Sequence, residues 1–388
     1  MAEKGLPMPR KVMVLTGKRG GFGAMKPMLR LLRDDPTFEL QLVVTDQHLN
    51  PRFGRTITEV EQEFPIAAAV DMEQRDGSAA GRARALGVCA TRMAEALDAL
   101  KPDLCLLYGD RGEVLASAMA ATALGIPIGH MQGGDVSGSV DEQVRHAVTK
   151  LAHLHFPSTQ ESAQRILRMG EEPWRVQVTG DHHLDLIVAG EYATQAEVAE
   201  TAGIDPNQPV IVLLQHSETT APDAAYQQMA ETLIAVRATG MQTVVVYPCS
   251  DVGYEGIVRA IEEFATGSQF RVFRNLDAPV FWGLLALATV MVGNSSAGII
   301  ETPCFRLPAI NIGRRQENRL HAENVIHVGH ERAAIAAALD RALNDAPFRA
   351  SARNCAQVYG DGKAGWRTVE AIRDLPLDSR LFVKRMTY

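Results

Sequence analysis

Short apolar runs of strand length recur along this chain, each followed by a helix-like segment, and few of them alternate polar with apolar residues. The run at 11–16, KVMVLT, leads through a glycine-rich loop into a helical pattern over 24–33. Runs at 38–45, 103–108, 126–130, 155–157 and 176–178 read as further strands, with helices predicted over 78–100, 113–124, 141–152 and 160–169. Strands without polar alternation fit burial on both faces, as in a parallel sheet covered by two layers of helices. Repeated βα units therefore predict an α/β fold with a doubly wound sheet.

The pattern then starts again. Residues 191–208 are polar, contain the turn signal Asp205-Pro206-Asn207, and read as a linker region. Strands at 209–214, 243–247, 270–273, 290–292 and 309–312 follow, with helices over 223–238, 256–264, 280–288, 332–344 and 347–356. At 388 residues the chain has room for two such units. The expectation is two Rossmann-like domains, 1–190 and 205–365, facing across a cleft. A tail, 366–388, carries a helix near 365–373 that packs back on the first domain. Ligands of doubly wound sheets sit beyond the carboxyl ends of the strands, so the cleft is the expected site.

A net charge of −7 argues against a dedicated nucleic-acid surface, while a small anionic ligand needs only a few local cations. The five cysteines are widely spaced and form no CxxC pair, as in a reducing, cytoplasmic setting. The start of the chain, 1–10, is polar and lacks the apolar core of a leader, and no apolar run is long enough to predict a membrane span.

Five segments fall where a predicted strand gives way to a loop or helix. Thr16-Gly17-Lys18-Arg19-Gly20-Gly21-Phe22-Gly23 reads either as an anion loop, with Arg19 as a phosphate partner, or as a plain turn. Tyr108-Gly109-Asp110-Arg111 puts charges at a strand end, where Asp110 could also simply cap the next helix. The densest segment runs His130-Met131-Gln132-Gly133-Gly134-Asp135-Val136-Ser137-Gly138, then Asp141-Glu142-Gln143-Val144-Arg145-His146. Its carboxylates and histidines suit proton transfer. His130, His146, His153 and His155 match no zinc spacing, so no metal is expected. Gln215-His216-Ser217-Glu218-Thr219-Thr220 is a phosphate contact or a polar strand exit, and no nucleophile elbow is present. Gly293-Asn294-Ser295-Ser296-Ala297-Gly298 offers backbone amides and hydroxyls to a diphosphate, with Glu301 one turn on for a ribose. Downstream, Arg314, Arg315 and Arg319 supply charge.

In these segments the chain resembles the UDP-N-acetylglucosamine 2-epimerase family, and within it the hydrolysing branch that makes N-acetylmannosamine or related sugars for sialic-acid and legionaminic-acid pathways. The resemblance spans about 11–330. It rests on Gly109-Asp110-Arg111, Gly133-Gly134-Asp135-Val136-Ser137-Gly138, Asp141-Glu142 with Arg145-His146 and Lys150-Leu151-Ala152-His153, Gly293-Asn294-Ser295-Ser296, and Arg315-Gln316. It implies a two-Rossmann, glycosyltransferase-B type fold. It also implies removal of the C2 proton with expulsion of UDP, then hydration of the glycal to the free C2-epimer. No cofactor is implied, and a homodimer is usual. Carried over by position, the proton-transfer set is Asp110, Gln132, Asp135, Asp141 and His216. The set for substrate and nucleotide is Arg19, Arg111, His146, Asp251, Gly293, Asn294, Ser295, Ser296, Glu301, Arg315 and Arg319.

The departures are local. Gln132 stands where the family usually has a glutamate thought to be catalytic, and an amide cannot exchange a proton as a carboxylate can. Lys18 and Gly21 replace Thr and Asp of the usual TGTRAD. His216-Ser217-Glu218-Thr219-Thr220 replaces HPVTT, and Asn318 stands where RQxGR has its glycine. A non-hydrolysing epimerase and a binding homologue without catalysis are the alternative readings. The Gly-Asp-Arg and Gly-Gly-Asp-Val-Ser-Gly blocks argue against a glycosyltransferase.

Overall fold

The computed structural model describes residues 8–51, 54–76, 78–138, 140–249 and 251–388, so the first seven residues of the polar start lie outside it. The first sheet contains β1 (Arg10–Thr16), β2 (Phe38–Thr45), β3 (Ile66–Val70), β4 (Leu104–Tyr108), β5 (Ile128–Met131) and β6 (Leu154–Phe156). The second contains β7 (Val210–Leu214), β8 (Gln242–Val246), β9 (Phe270–Phe273), β10 (Val290–Gly293), β11 (Ala309–Ile312) and β12 (Val325–Val328). Their orders are β3-β2-β1-β4-β5-β6 and β12-β11-β10-β7-β8-β9. The two orders are the same when the second sheet is counted from its own first strand. Every pairing is parallel. Val12 to Leu15, Leu104 to Leu107 and Val210 to Leu213 are buried throughout, as their unbroken apolar character requires.

In this order the chain reverses direction across the sheet between β1 and β4, and again between β7 and β10. A crevice opens at each reversal. The loops after β1, β4, β7 and β10 begin at Gly17, Gly109, Gln215 and Asn294, so four of the five candidate segments sit at the two switch points. The fifth follows β5, next to β4.

Several elements differ from the sequence expectation. The first helix starts at Arg19, not residue 24, so the glycines of the first loop lie in its opening turns. Gly23 explains why: a Cβ there would stand 2.9 Å from Ala278 Cβ on the opposite half, a contact only glycine permits. The expected linker 191–208 contains the helix Gln195–Ala202, opened by a Thr194/Glu197 capping box. The expected strand 176–178 is a lone bridge between His155 and Val176. The helix Ala364–Arg373 buries Val369 and Ile372 in the core beneath β1 and β2, and Arg10 donates to the carbonyls of Ile372 and Leu375. Among the described residues no helix is long and apolar enough to cross a membrane.

Candidate functional site

Two adjoining cavities occupy the cleft. The larger, about 740 Å³, is lined by Lys18, Arg19, His216, Ser295, Ser296, Glu301 and Arg315, among others. The smaller is lined by Asp110, Arg111, Gln132, Asp141, Arg145 and Arg319. Lys18, His183, Ser296 and Arg315 line both.

The halves meet at Gly138, whose amide donates to Arg315 O at 3.2 Å. A Cβ at Gly138 would stand 1.8 Å from Arg314 O, so this close approach demands glycine. It seats Arg315 between carboxylates of both halves, with Nη2 3.6 Å from Asp141 and 3.4 Å from Asp251. Arg315 Nε is buried without a hydrogen-bond partner, which leaves a donor for a ligand anion.

Asp141 is the carboxylate of this cleft whose titration is shifted toward neutrality. Burial first, then the charges of Asp110 and Asp251, push its carboxyl up to about 6 against the pull of Arg315 and Arg111. Asp110 does not cap the following helix, whose N-cap is Arg111. It pairs with buried Arg145, and burial, which raises its carboxyl, is outweighed by Arg145, Lys18, Arg319 and Arg315, so it titrates below the usual range. Asp110 is therefore the fixed charge and Asp141 the group that can change charge near neutrality.

Arg111 is committed within the protein: it holds Asp251 at 2.9 Å, Glu113 at 3.1 Å and Asp46 at 3.7 Å. Arg19 pairs with Glu59 and, at 3.1 Å, with Asp277. Arg319 holds Asp135 at 2.6 Å. Asp135, His146 and Asp251 line neither cavity. Asp135 is turned to Arg319, His146 stands 3.8 Å from Glu142, and Asp251 is the counter-ion behind Arg111 and Arg315. His130 is a core histidine, with Nε2 2.8 Å from Gly109 O and Nδ1 3.1 Å from Thr149. Among the described residues no group of His, Cys, Asp and Glu could hold a metal ion.

On the second sheet, Gly293 has φ +131°, and a Cβ there would fall 2.0 Å from Leu214 O. The turn delivers Asn294 to the β7 exit, where Oδ1 accepts from His216 N at 2.7 Å and Nδ2 donates to His216 O at 3.0 Å. His216 Nδ1 accepts the Cys249 amide at 3.0 Å, which leaves Nε2 to carry the ring proton. Burial, followed by the charge of Arg315, holds this imidazole neutral. The helix after the loop, Ala297–Ile300, is a single turn, so hydroxyls and local amides rather than a long helix dipole face the cavity. Glu301 lines the larger cavity, with Oε2 accepting from Trp282 at 3.0 Å.

The departures have structural counterparts. Asn318 has φ +61°, a conformation asparagine tolerates better than most residues, so the missing glycine is replaced in kind. Glu218 accepts Arg314 N at 2.6 Å and lies 3.1 Å from His330, and so braces the arginine loop. Gln132 has φ +62° and donates from Nε2 to Asp181 at 2.6 Å. Asp181 and His183 were missed in the sequence. Their signal was Thr179-Gly180, a turn just beyond the run after β6, with Gly180 at φ +92°.

Residues 30–373 match the family described as UDP-N-acetylglucosamine 2-epimerase. The UDP-N,N'-diacetylbacillosamine 2-epimerase (hydrolyzing) of Legionella pneumophila is 36% identical over 382 residues, 98% of this chain and 100% of that protein. The UDP-N-acetylglucosamine 2-epimerase of Neisseria meningitidis serogroup B is 31% identical over 341 residues, 88% of this chain and 89% of that one. The fold matches a crystal structure of UDP-GlcNAc 2-epimerase from Neisseria meningitidis bound to UDP-GlcNAc, with TM-score 0.78, 18% identity and coverage of 93% and 99%. With most of its length matched by the family and a full-length relative above 30% identity, the chain belongs to the UDP-N-acetylglucosamine 2-epimerase family.

Proposed function

We propose that the protein is a hydrolysing 2-epimerase that converts a UDP-linked 2-acetamido sugar to UDP and the free C2-epimer. The observation that carries this reading is Asp141: a carboxylate in the cleft, pushed up to about 6, beside Asp110 and within reach of Arg315. A C2–H bond is a weak acid, so its removal needs a base poised near neutrality together with a stabilised leaving group. Asp141 takes the C2 proton, the C2–H pair forms the C1=C2 bond, and the C1–O bond to the diphosphate breaks. Arg315, the His216 Nε2–H and the Ser296 hydroxyl receive the developing charge on UDP. Water then adds at C1 and a proton at C2. The full-length relative named as hydrolysing supports this outcome over a retained nucleotide.

The test is incubation with UDP-N-acetylglucosamine and with UDP-N,N'-diacetylbacillosamine in deuterated water, followed by NMR. Free sugar deuterated at C2, formed with stoichiometric UDP, is expected. Deuterated but intact nucleotide-sugar would replace this reading by a non-hydrolysing epimerase. Binding of UDP without turnover of either donor would sink both.

A further inference from the structure

Inversion at C2 needs a proton removed from one face and another delivered to the opposite face, which calls for a second proton-transfer group besides Asp141. Gln132 stands where the family's glutamate is expected and cannot serve. Its amide is also occupied, with Nε2 2.6 Å from Asp181 Oδ2. A glutamate there would set two carboxylates against each other, and one would have to hold a proton.

The same aspartate orients a different acid. Asp181 Oδ1 lies 2.9 Å from His183 Nδ1 and accepts the His183 amide at 3.0 Å. Tyr108 Oη is 2.8 Å from the same ring nitrogen. Ser158 Oγ donates to Asp181 Oδ2 at 3.1 Å, and Asp181 is itself buried. The ring is thus fixed through Nδ1, its Nε2 makes no hydrogen bond among the described residues, and the side chain lines both cavities. An aspartate holding one imidazole nitrogen while the other faces a reactive cleft is the arrangement of an oriented acid–base histidine.

We propose that His183 is the second proton-transfer group, its Nε2 giving a proton to C2 of the glycal as water adds at C1. The inference rests on the hydrolysing reading above. In the step, the C1=C2 pair takes the Nε2 proton and the water oxygen bonds to C1. The surplus proton of that water, and the one held by Asp141, pass to solvent, from which the imidazole is recharged. The groups facing His183 are Asp181, Tyr108, His182, Glu301 and Lys18. Burial lowers the imidazolium, but the hydrogen bond and charge of Asp181, with the charge of Glu301, outweigh it and raise the group above its ordinary value. The same contacts favour the acid form of His183 more than a free imidazole would.

The test uses the full chain with UDP-N-acetylglucosamine and with UDP-N,N'-diacetylbacillosamine, and compares wild type, His183→Gln, Asp181→Asn and Gln132→Glu. In His183→Gln, free-sugar formation falls about 10²- to 10⁴-fold. UDP release continues, the glycal accumulates, the alkaline limb of the pH profile disappears, and UDP affinity by calorimetry stays within about threefold (0.65 kcal/mol). Asp181→Asn keeps the ring and moves the alkaline limb to lower pH, an outcome readable if His183→Gln does not fold. Gln132→Glu lowers the rate rather than restoring a missing function. Wild-type kcat and pH profile in His183→Gln, or loss of UDP release together with product, would overturn the assignment. A wild type that releases no UDP from either donor refutes the hydrolysing reading instead.

Discussion

The two loop sets that face each other across the cleft stand on the same strand order and are built by opposite means. On the second sheet the junction of the β7 and β10 loops is neutral: Gly293 makes the turn, Asn294 brackets the His216 backbone, and Gln316 donates to Asn294 O at 3.0 Å. On the first sheet it is a mesh of buried charge, in which Arg82 bridges Asp46 at 3.2 Å and Glu113 at 2.6 Å, and Arg111 runs on from both to Asp251. Neutral hydrogen-bonded loops lose strength in small steps, whereas removing one member of a buried ion network strands its partner. The neutral junction, with Arg315 beside it, suits holding a ligand of fixed charge. The charged half suits moving a proton, because crowded carboxylates are what bring one of them near neutrality.

The largest expected effect breaks the comparison on the charged side. Asp141→Asn should lower kcat about 10³-fold while leaving UDP affinity near that of wild type, the signature of lost general-base catalysis. Stability should move the other way. The folded carboxyl is raised to about 6, above an unfolded value near 4, so the stability it contributes is present below pH ~4 and lost as pH rises through about 6. Asparagine carries no charge into that crowd, so the variant should melt at or above the wild-type temperature at pH 7.5. Its advantage should shrink toward pH 4. A lower melting temperature at pH 7.5 would mean that Asp141 is a structural ion-pair partner of Arg315 instead. In the wild type, kcat/KM should fall tenfold per pH unit below about 6.

How much of this was legible in the sequence also divides along the comparison. Strands, order of segments and the loops at the strand ends could be read because each is local: VMVG followed by small residues already dictates a turn at a strand end. β3 (IAAAV) and β12 (VIHV) escaped because alanine and a histidine blur their strand character, and only pairing with neighbours defines them. The charge mesh was the least legible part. That Arg111 serves Asp251, 140 residues away, and that Arg319 withdraws Asp135 from the cleft, depends on the meeting of the two halves. The resemblance puts Asp135 and His146 in the site by position, yet on the helix Val140–Leu151 His146 pairs with Glu142 one turn earlier and lines neither cavity. For Asp181 and His183 the turn at Thr179-Gly180 marks only a strand exit, and their roles emerge through what they touch.

A smaller effect is expected on the neutral side. Asn294→Ala removes both bonds that clamp the His216 backbone and leaves a partly buried amide and carbonyl without them. The cost should be about 1–3 kcal/mol in stability, with KM rising more than kcat falls as His216 loses its place. A shift in the pH optimum with this variant would show that the two halves are not separable in the way their construction suggests.

The smallest effect separates two neighbouring hydroxyls. Ser295 Oγ accepts the Ala297 amide at 3.3 Å and so belongs to the loop itself. The Ser296 hydroxyl makes no hydrogen bond among the described residues and lines both cavities. Ser296→Ala therefore removes nothing from the folded protein without ligand, and its melting temperature should match wild type. If the hydroxyl donates to the diphosphate, UDP affinity should fall by about 0.5–1.5 kcal/mol, roughly twofold to thirteenfold, measured by calorimetry. Ser295→Ala should reverse the pattern, lowering the melting temperature first. Equal effects of the two substitutions on melting and on affinity would mean that loop shape, and not a hydroxyl aimed at the ligand, holds the nucleotide here.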